Sequence, residues 1–184
     1  TTLLEISKEL IATLINEHPN VLKVILRFFK DRLIDTLTRT SELFAPFASH
    51  ERKELASNFA FIEAKADVVL LTEGEQPDGL YILLSGFLRV TQNEGGEQKR
   101  LDNLGPGALF GEMALLTGGP STQTIQTKTK CWLLKLDRNR FNEVIMTHPQ
   151  VLAFVGELAE KRRKTYDAMK EGRLPYKENT LRTV

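Results

Sequence analysis

The sequence predicts a mainly β protein with flanking helices, its strands wound into a closed or double-sheet β-roll of the jelly-roll kind. Three observations predict it. Apolar or near-alternating runs of four to seven residues fall at 68–71, 80–84, 87–92, 98–104, 124–127 and 132–136, separated by Gly, Pro, Asn or Asp. Glu94-Gly95-Gly96-Glu97 joins two of these runs with the residues of a tight hairpin. Sustained helical periodicity is found only before and after the strands.

In chain order, Leu3, Leu4 and Ile6 read as the end of a strand, and Ser7 as the cap of a short helix reaching Asn16. His18-Pro19 breaks that helix, and Pro19 is tolerated in the first turn of the next. There Val21, Leu22, Ile25, Leu26, Phe29, Leu33, Ile34 and Leu37 keep a helical period. Residues 40–46 interrupt it, with Leu43, Phe44 and Phe47 packing a turn onto the domain that follows. Ser49 is the expected cap of the next helix, with Glu51 favourably placed in its first turn. Residues 58–64 lead into the sheet, where Tyr81 and Trp132 are expected in the core. After the last strand, Asp137 caps a helix through Met146. Pro149 then opens another with an apolar stripe of Val151, Leu152, Val155, Leu158 and Ala159, and Gly172 and Pro175 stop it. Four charges on consecutive positions, Lys161 to Lys164, read as a solvated helix end.

Composition narrows the function. The formal net charge of +1 gives no whole-molecule field for nucleic acid or an anionic membrane, so neither contact is expected of this chain. A single cysteine, Cys131, excludes an internal disulfide framework and fits a reducing, cytoplasmic setting. No apolar run approaches the roughly 20 residues of a membrane helix. His18, His50 and His148 are scattered and form no metal-ligand set with a lone cysteine. No nucleophile and base stand at a recognisable spacing, so no catalysis, metal or cofactor is expected.

An internal repeat orders the chain. Residues 3–22 laid over 133–152, at a constant offset of 130, pair Leu3, Leu4, Ile15, His18, Pro19, Val21 and Leu22 with identical residues. The expected organisation is therefore a remnant of a preceding homologous domain with a connecting helix over 1–40, one intact domain over 41–170, and a polar tail over 171–184. The apolar stripe of the first helix also makes association through the terminal helices, as a homodimer, an expectation.

The candidate site lies between Phe110 and Thr124. Gly111 lets backbone approach a ligand closely, and Met113, Ala114, Leu115 and Leu116 supply a short helical turn behind it. Glu112 can accept from a sugar hydroxyl, and Gly118-Gly119-Pro120 turns the chain back. This run resembles the phosphate-binding cassette of the cyclic nucleotide-binding domains, such as those of the protein kinase A regulatory subunit and the bacterial catabolite activator protein. Upstream, Glu73-Gly74-Glu75, Asp78-Gly79-Leu80-Tyr81 and Ser85-Gly86 resemble the turns and strands that precede the family's cassette. The resemblance, over about residues 41–170, implies a non-catalytic module that binds cAMP or cGMP through Gly111, Glu112, Met113, Ala114, Ser121 and Thr122. Occupancy would pass to the terminal helices, with Arg162, Thr165 and Tyr166 near the base. The chain departs from the family pattern at Ser121, where an Arg ordinarily pairs with the phosphate; Thr122 occupies a place that contacts guanine in cGMP-preferring members. Two other roles remain open: a dimerisation or docking scaffold, and the sensor part of a transcription regulator whose DNA-binding domain lies elsewhere.

Overall fold

The computed structural model describes residues 17, 19–45 and 47–174. They divide into two compact units between Thr36 and Leu37. The expected strand end at 3–6 and the Ser7-capped helix lie outside the described residues. In the first unit the helical period after His18-Pro19 is realised as helix α1, Pro19–Thr40, whose last turn belongs to the second unit.

The second unit begins with a 3-10 turn, Glu42–Phe44, which buries Leu43, Phe44 and Phe47 as their spacing predicts. Helix α2, Ser49–Ser57, follows. Its cap is Ala48 and not Ser49. Ala48 is extended (φ −67°, ψ 161°), and its N–H donates to the Glu51 carboxylate at 2.7 Å, so the acid three residues on satisfies the helix start without a hydroxyl.

Eight strands follow: β1 Ala60–Ala64, β2 Val69–Leu71, β3 Gly79–Ser85, β4 Leu88–Glu94, β5 Glu97–Leu104, β6 Leu109–Phe110, β7 Thr124–Thr127 and β8 Cys131–Asp137. They form two four-stranded sheets, β1-β8-β3-β6 and β2-β7-β4-β5, antiparallel at every pairing. This is the roll that the pattern predicts. Between the sheets Tyr81, Leu83, Cys131 and Leu133 of the first meet Leu88, Val90, Leu101 and Ile125 of the second. Leu80 and Ile82 are fully buried as well, although they point out of that cluster, because helix α4 (Arg138–Thr147) lies against β3 and β8. A strand covered on both faces reads as an unbroken apolar run, and Gly79-Leu80-Tyr81-Ile82-Leu83-Leu84 is one. The β4–β5 turn uses Gly95 (φ 65°) and Gly96 (φ 91°), both left-handed as a two-residue hairpin of this kind requires. Trp132 departs from expectation. It sits half-exposed on the outer face of β8, stacked on Phe61 at 5.1 Å with the Lys130 ammonium 4.7 Å from its ring centroid.

A polar cluster fastens β3 to β8. The Tyr81 hydroxyl donates to Asp78 at 2.6 Å, and the Lys135 ammonium lies 2.9 Å from Asp78 and 3.0 Å from Asp137. Burial pushes the Tyr81 phenol far above its ordinary range, aided by Asp78 and Asp137. Burial would also raise Asp78, but the Tyr81 hydroxyl and Lys135 outweigh it and hold the carboxyl below its usual value. A carboxyl depressed in the fold stabilises above its unfolded value, about 3.9, and that contribution disappears as pH falls through the lower folded value. Urea midpoints recorded from pH 6 to pH 2 are therefore expected to fall less steeply for Asp78→Asn than for the parent chain.

Helix α5, Pro149–Lys170, ends the described structure, with Gly172 left-handed (φ 71°) just beyond it. Among the described residues no helix is long and apolar enough to cross a membrane.

Candidate functional site

Strand β6 runs straight into the six-residue helix α3, Glu112–Thr117, with Gly111 as the hinge. Gly111 has φ 89°, and a Cβ there would lie 2.7 Å from the Gly79 carbonyl oxygen. The position excludes a side chain twice over, once by its left-handed backbone and once by the neighbouring strand. Sequence reasoning assigned this glycine to ligand approach; the structure adds a packing requirement. Gly111→Ala is expected to cost about 2 kcal/mol or more, read as a lower urea midpoint, since the left-handed conformation alone costs an L-residue about 1–2 kcal/mol.

Glu112 is 2 % exposed, and its carboxylate is not open at a mouth. Arg162 of α5 donates Nη1 to Glu112 Oε1 at 2.7 Å and to the Leu109 carbonyl at 2.6 Å. Ser121 is also buried. Its hydroxyl donates to the Gln123 carbonyl at 2.7 Å, while its backbone is bound on both sides: its N–H donates to Glu75 O at 2.8 Å and its carbonyl accepts from Gly74 N–H at 2.8 Å. The Glu73 carboxylate in turn accepts the Asn93 N–H at 2.7 Å, so the cassette is tied through the 73–75 turn to the β4–β5 hairpin. Thr122 is exposed, its carbonyl held by Gln92 at 2.8 Å.

All six residues expected at the site, Gly111, Glu112, Met113, Ala114, Ser121 and Thr122, line one partly open cavity of about 20 Å³, together with Arg162 and Tyr166. That volume holds about one water. A larger groove of about 320 Å³ opens beside it, sharing Met113, Ala114, Thr122 and Tyr166 and bounded on the helix side by Arg163, Asp167 and Lys170.

The structure corrects the expectation of a solvated helix end. Lys161, Arg163 and Lys164 are exposed, and the last two pair with Glu160, but Arg162 turns inward. Tyr166 and Met169 join the core cluster of the roll, and burial pushes the Tyr166 phenol up to about 12. A signal for this was present. The stripe that begins Val151, Val155 and Leu158 continues at the same spacing through Arg162, Tyr166 and Met169, and it was cut short where the charges began. The cation that Ser121 does not supply at the cassette comes from a different element, as Arg162.

A double-sheet roll whose connecting segment forms a Gly-Glu helical turn, with a C-terminal helix that pairs with that Glu, defines a β-roll domain built around a helical cassette. The comparisons agree. Residues 61–148 match the family described as "Cyclic nucleotide-binding domain". A potassium channel of Oryza sativa subsp. japonica is 33% identical over 91 residues, 49% of this chain and 10% of the channel. The Thermus thermophilus catabolite activator protein superposes with a TM-score of 0.65 at 29% identity, covering 71% of this chain and 62% of that one. The regulatory domain of Toxoplasma gondii PKA, solved with cAMP, gives 0.57 at 29% identity over 77% of this chain and 51% of its own. The chain spans a tenth or less of the first curated relatives that it matches. Residues 61–148 thus carry the likeness to the cyclic nucleotide-binding domain family, and the fold extends it to the flanking helices.

Proposed function

We propose that this domain is a regulatory, non-catalytic sensor of a cyclic nucleotide, cAMP or cGMP, whose occupancy is read out by α5. The observation that supports it best is the Arg162–Glu112 pair inside the cassette. A carboxylate acceptor suits ribose hydroxyls, and a guanidinium 2.7 Å away suits the cyclic phosphate, which balances the charge that Ser121 leaves unsupplied. Gly111, Met113 and Ala114 bring backbone to the same space, and Thr122 faces the groove where a base would lie. Cys131, fully buried with its thiol pushed up by burial, suits a reducing cytoplasm and has no reactive part in this reading.

The cavity of about 20 Å³ is far below the 300–1,000 Å³ of ordinary ligand pockets and the groove of about 320 Å³ beside it lies within that range, so a base can rest in the groove, whereas seating phosphate and ribose against Glu112 requires Tyr166 and its helix to lift. Binding and helix position are then one equilibrium, since the ligand contacts Glu112 and Arg162 differently in the two arrangements. Titration calorimetry with cAMP and with cGMP tests this. Binding of at least one on the order of micromolar, weakened about tenfold or more by Glu112→Gln, is the expected result. A second reading, a docking or dimerisation scaffold of the same fold, is favoured by the small cavity and by an acid already paired. It predicts no heat from either nucleotide up to millimolar concentration.

A further inference from the structure

We infer that Thr165 is a phosphoacceptor for an arginine-directed serine/threonine kinase, and that its modification competes with Glu112 for Arg162 and so unseats the end of α5. The inference is independent of whether the roll takes a cyclic nucleotide, since it needs only the Arg162–Glu112 pair and the residues that follow it. Of all the serines and threonines in the chain, Thr165 is the one with arginine at both the second and the third position before it, Arg163 and Arg162. A kinase that selects substrates by charge reads such a pair with its own acidic side chains, because the guanidinium fork matches a carboxylate.

The structure shows how much of this signal is on view. The Arg163 and Lys164 side chains are 58% and 72% exposed and pair only with acids on α5 itself, a hold that solvent weakens. Thr165 is half-buried at the edge of that run, and its hydroxyl donates to the Lys161 carbonyl at 2.9 Å. Such a bond back to the preceding turn adds nothing to a helix and is readily given up. Arg162 is the withheld part, fastened to Glu112 and to the Leu109 carbonyl. Full recognition therefore draws on moments when the last turns of α5 leave the roll. In the transfer, the Thr165 oxygen bonds to the γ-phosphorus of ATP and the bond from that phosphorus to the oxygen of departing ADP breaks. The hydroxyl proton passes to the carboxylate base of the kinase. The product carries a charge of about −1.5 to −2 three residues beyond Arg162, on the same side of the helix, where it can draw the guanidinium from Glu112. It also sets that charge beside Tyr166, which packs in the core of the roll. Both effects favour release of the helix end.

Incubating the chain with ATP and the catalytic subunit of protein kinase A, an arginine-directed enzyme, tests the site, with no cyclic nucleotide present and the phosphate located by mass spectrometry. Phosphate is expected on Thr165 and is lost in Thr165→Val. Arg163→Ala should take it roughly ten- to a hundredfold more slowly, the worth of one charge-assisted contact to the kinase. Glu112→Gln, which releases Arg162, should take it faster than the parent. In the modified chain, amide exchange over residues 162–170 is expected to quicken roughly tenfold or more, while unchanged exchange in β3 and β8 shows that the roll is folded. The absence of phosphate on Thr165 in both the parent and Glu112→Gln overturns the inference. So does incorporation that ignores Arg163→Ala, a Glu112→Gln variant no faster than the parent, or a modified chain that protects 162–170 as before.

Discussion

Arg162→Ala is expected to lower stability by about 3–5 kcal/mol at pH 7, a large share of what a domain of this size possesses. The side chain of Glu112 is 2% exposed, and that of Arg162 19%. Removing the guanidinium leaves a carboxylate in the roll with no cation and orphans the Leu109 carbonyl that shares the same Nη1. The cost comes from that stranded charge more than from the attraction lost, so it should shrink when both charges go together. Arg162→Met with Glu112→Gln is expected to recover much of the loss, and a double-mutant cycle of urea midpoints reads the coupling. Additive single effects would mean that the pair is a bystander of helix packing.

Ser121→Arg is expected to tighten cyclic nucleotide binding by roughly ten- to a hundredfold, the worth of about 1.5–3 kcal/mol for one charge-assisted hydrogen bond to a phosphate oxygen. The Ser121 side chain lines the same cavity as Glu112 and Arg162, so a guanidinium introduced there starts within the site. It also gives Glu112 a second cation, which loosens the hold of Arg162 and favours lifting of α5. Calorimetry on the variant and parent, with cAMP and cGMP, measures the gain. No gain for either ligand would mean that Tyr166 and Met169 keep the roll shut whatever charge lines it, and would favour the scaffold reading.

Most of the architecture was legible because the strands alternate or run apolar between turn residues, and those patterns report burial directly. Six of the eight strands were anticipated as runs and β1 as the lead into the sheet, whereas β6 was not. Leu109 and Phe110 pair with only Ile82 and Tyr81, and a two-residue strand carries no period to detect. Ser49 was misassigned as a cap because a helix start can be satisfied by Glu51 reaching back to Ala48, a choice between two polar side chains that only geometry decides. The six residues that line one cavity could be named together from the sequence because they are contiguous or nearly so. Arg162 and Tyr166, which complete the cavity with them, lie some forty to fifty positions away on another element. Their place depends on the rotation of α5 about its own axis: the family resemblance put both near a bound base, whereas the run of four charges read as a solvated helix end.

The two backbone hydrogen bonds of residue 121 bear on how such a site diversifies. Because Gly74 and Glu75 hold residue 121 by its main chain, a new side chain there leaves that grip intact and gives up only the hydroxyl bond to Gln123. The side chain at this point is thus a replaceable fitting on a fixed mount: a hydroxyl can give way to a guanidinium, or the reverse, without redrawing the roll. Gly111, wedged against its neighbour, has no such latitude, so descent with changing specificity should leave its mark at residue 121 long before it touches 111.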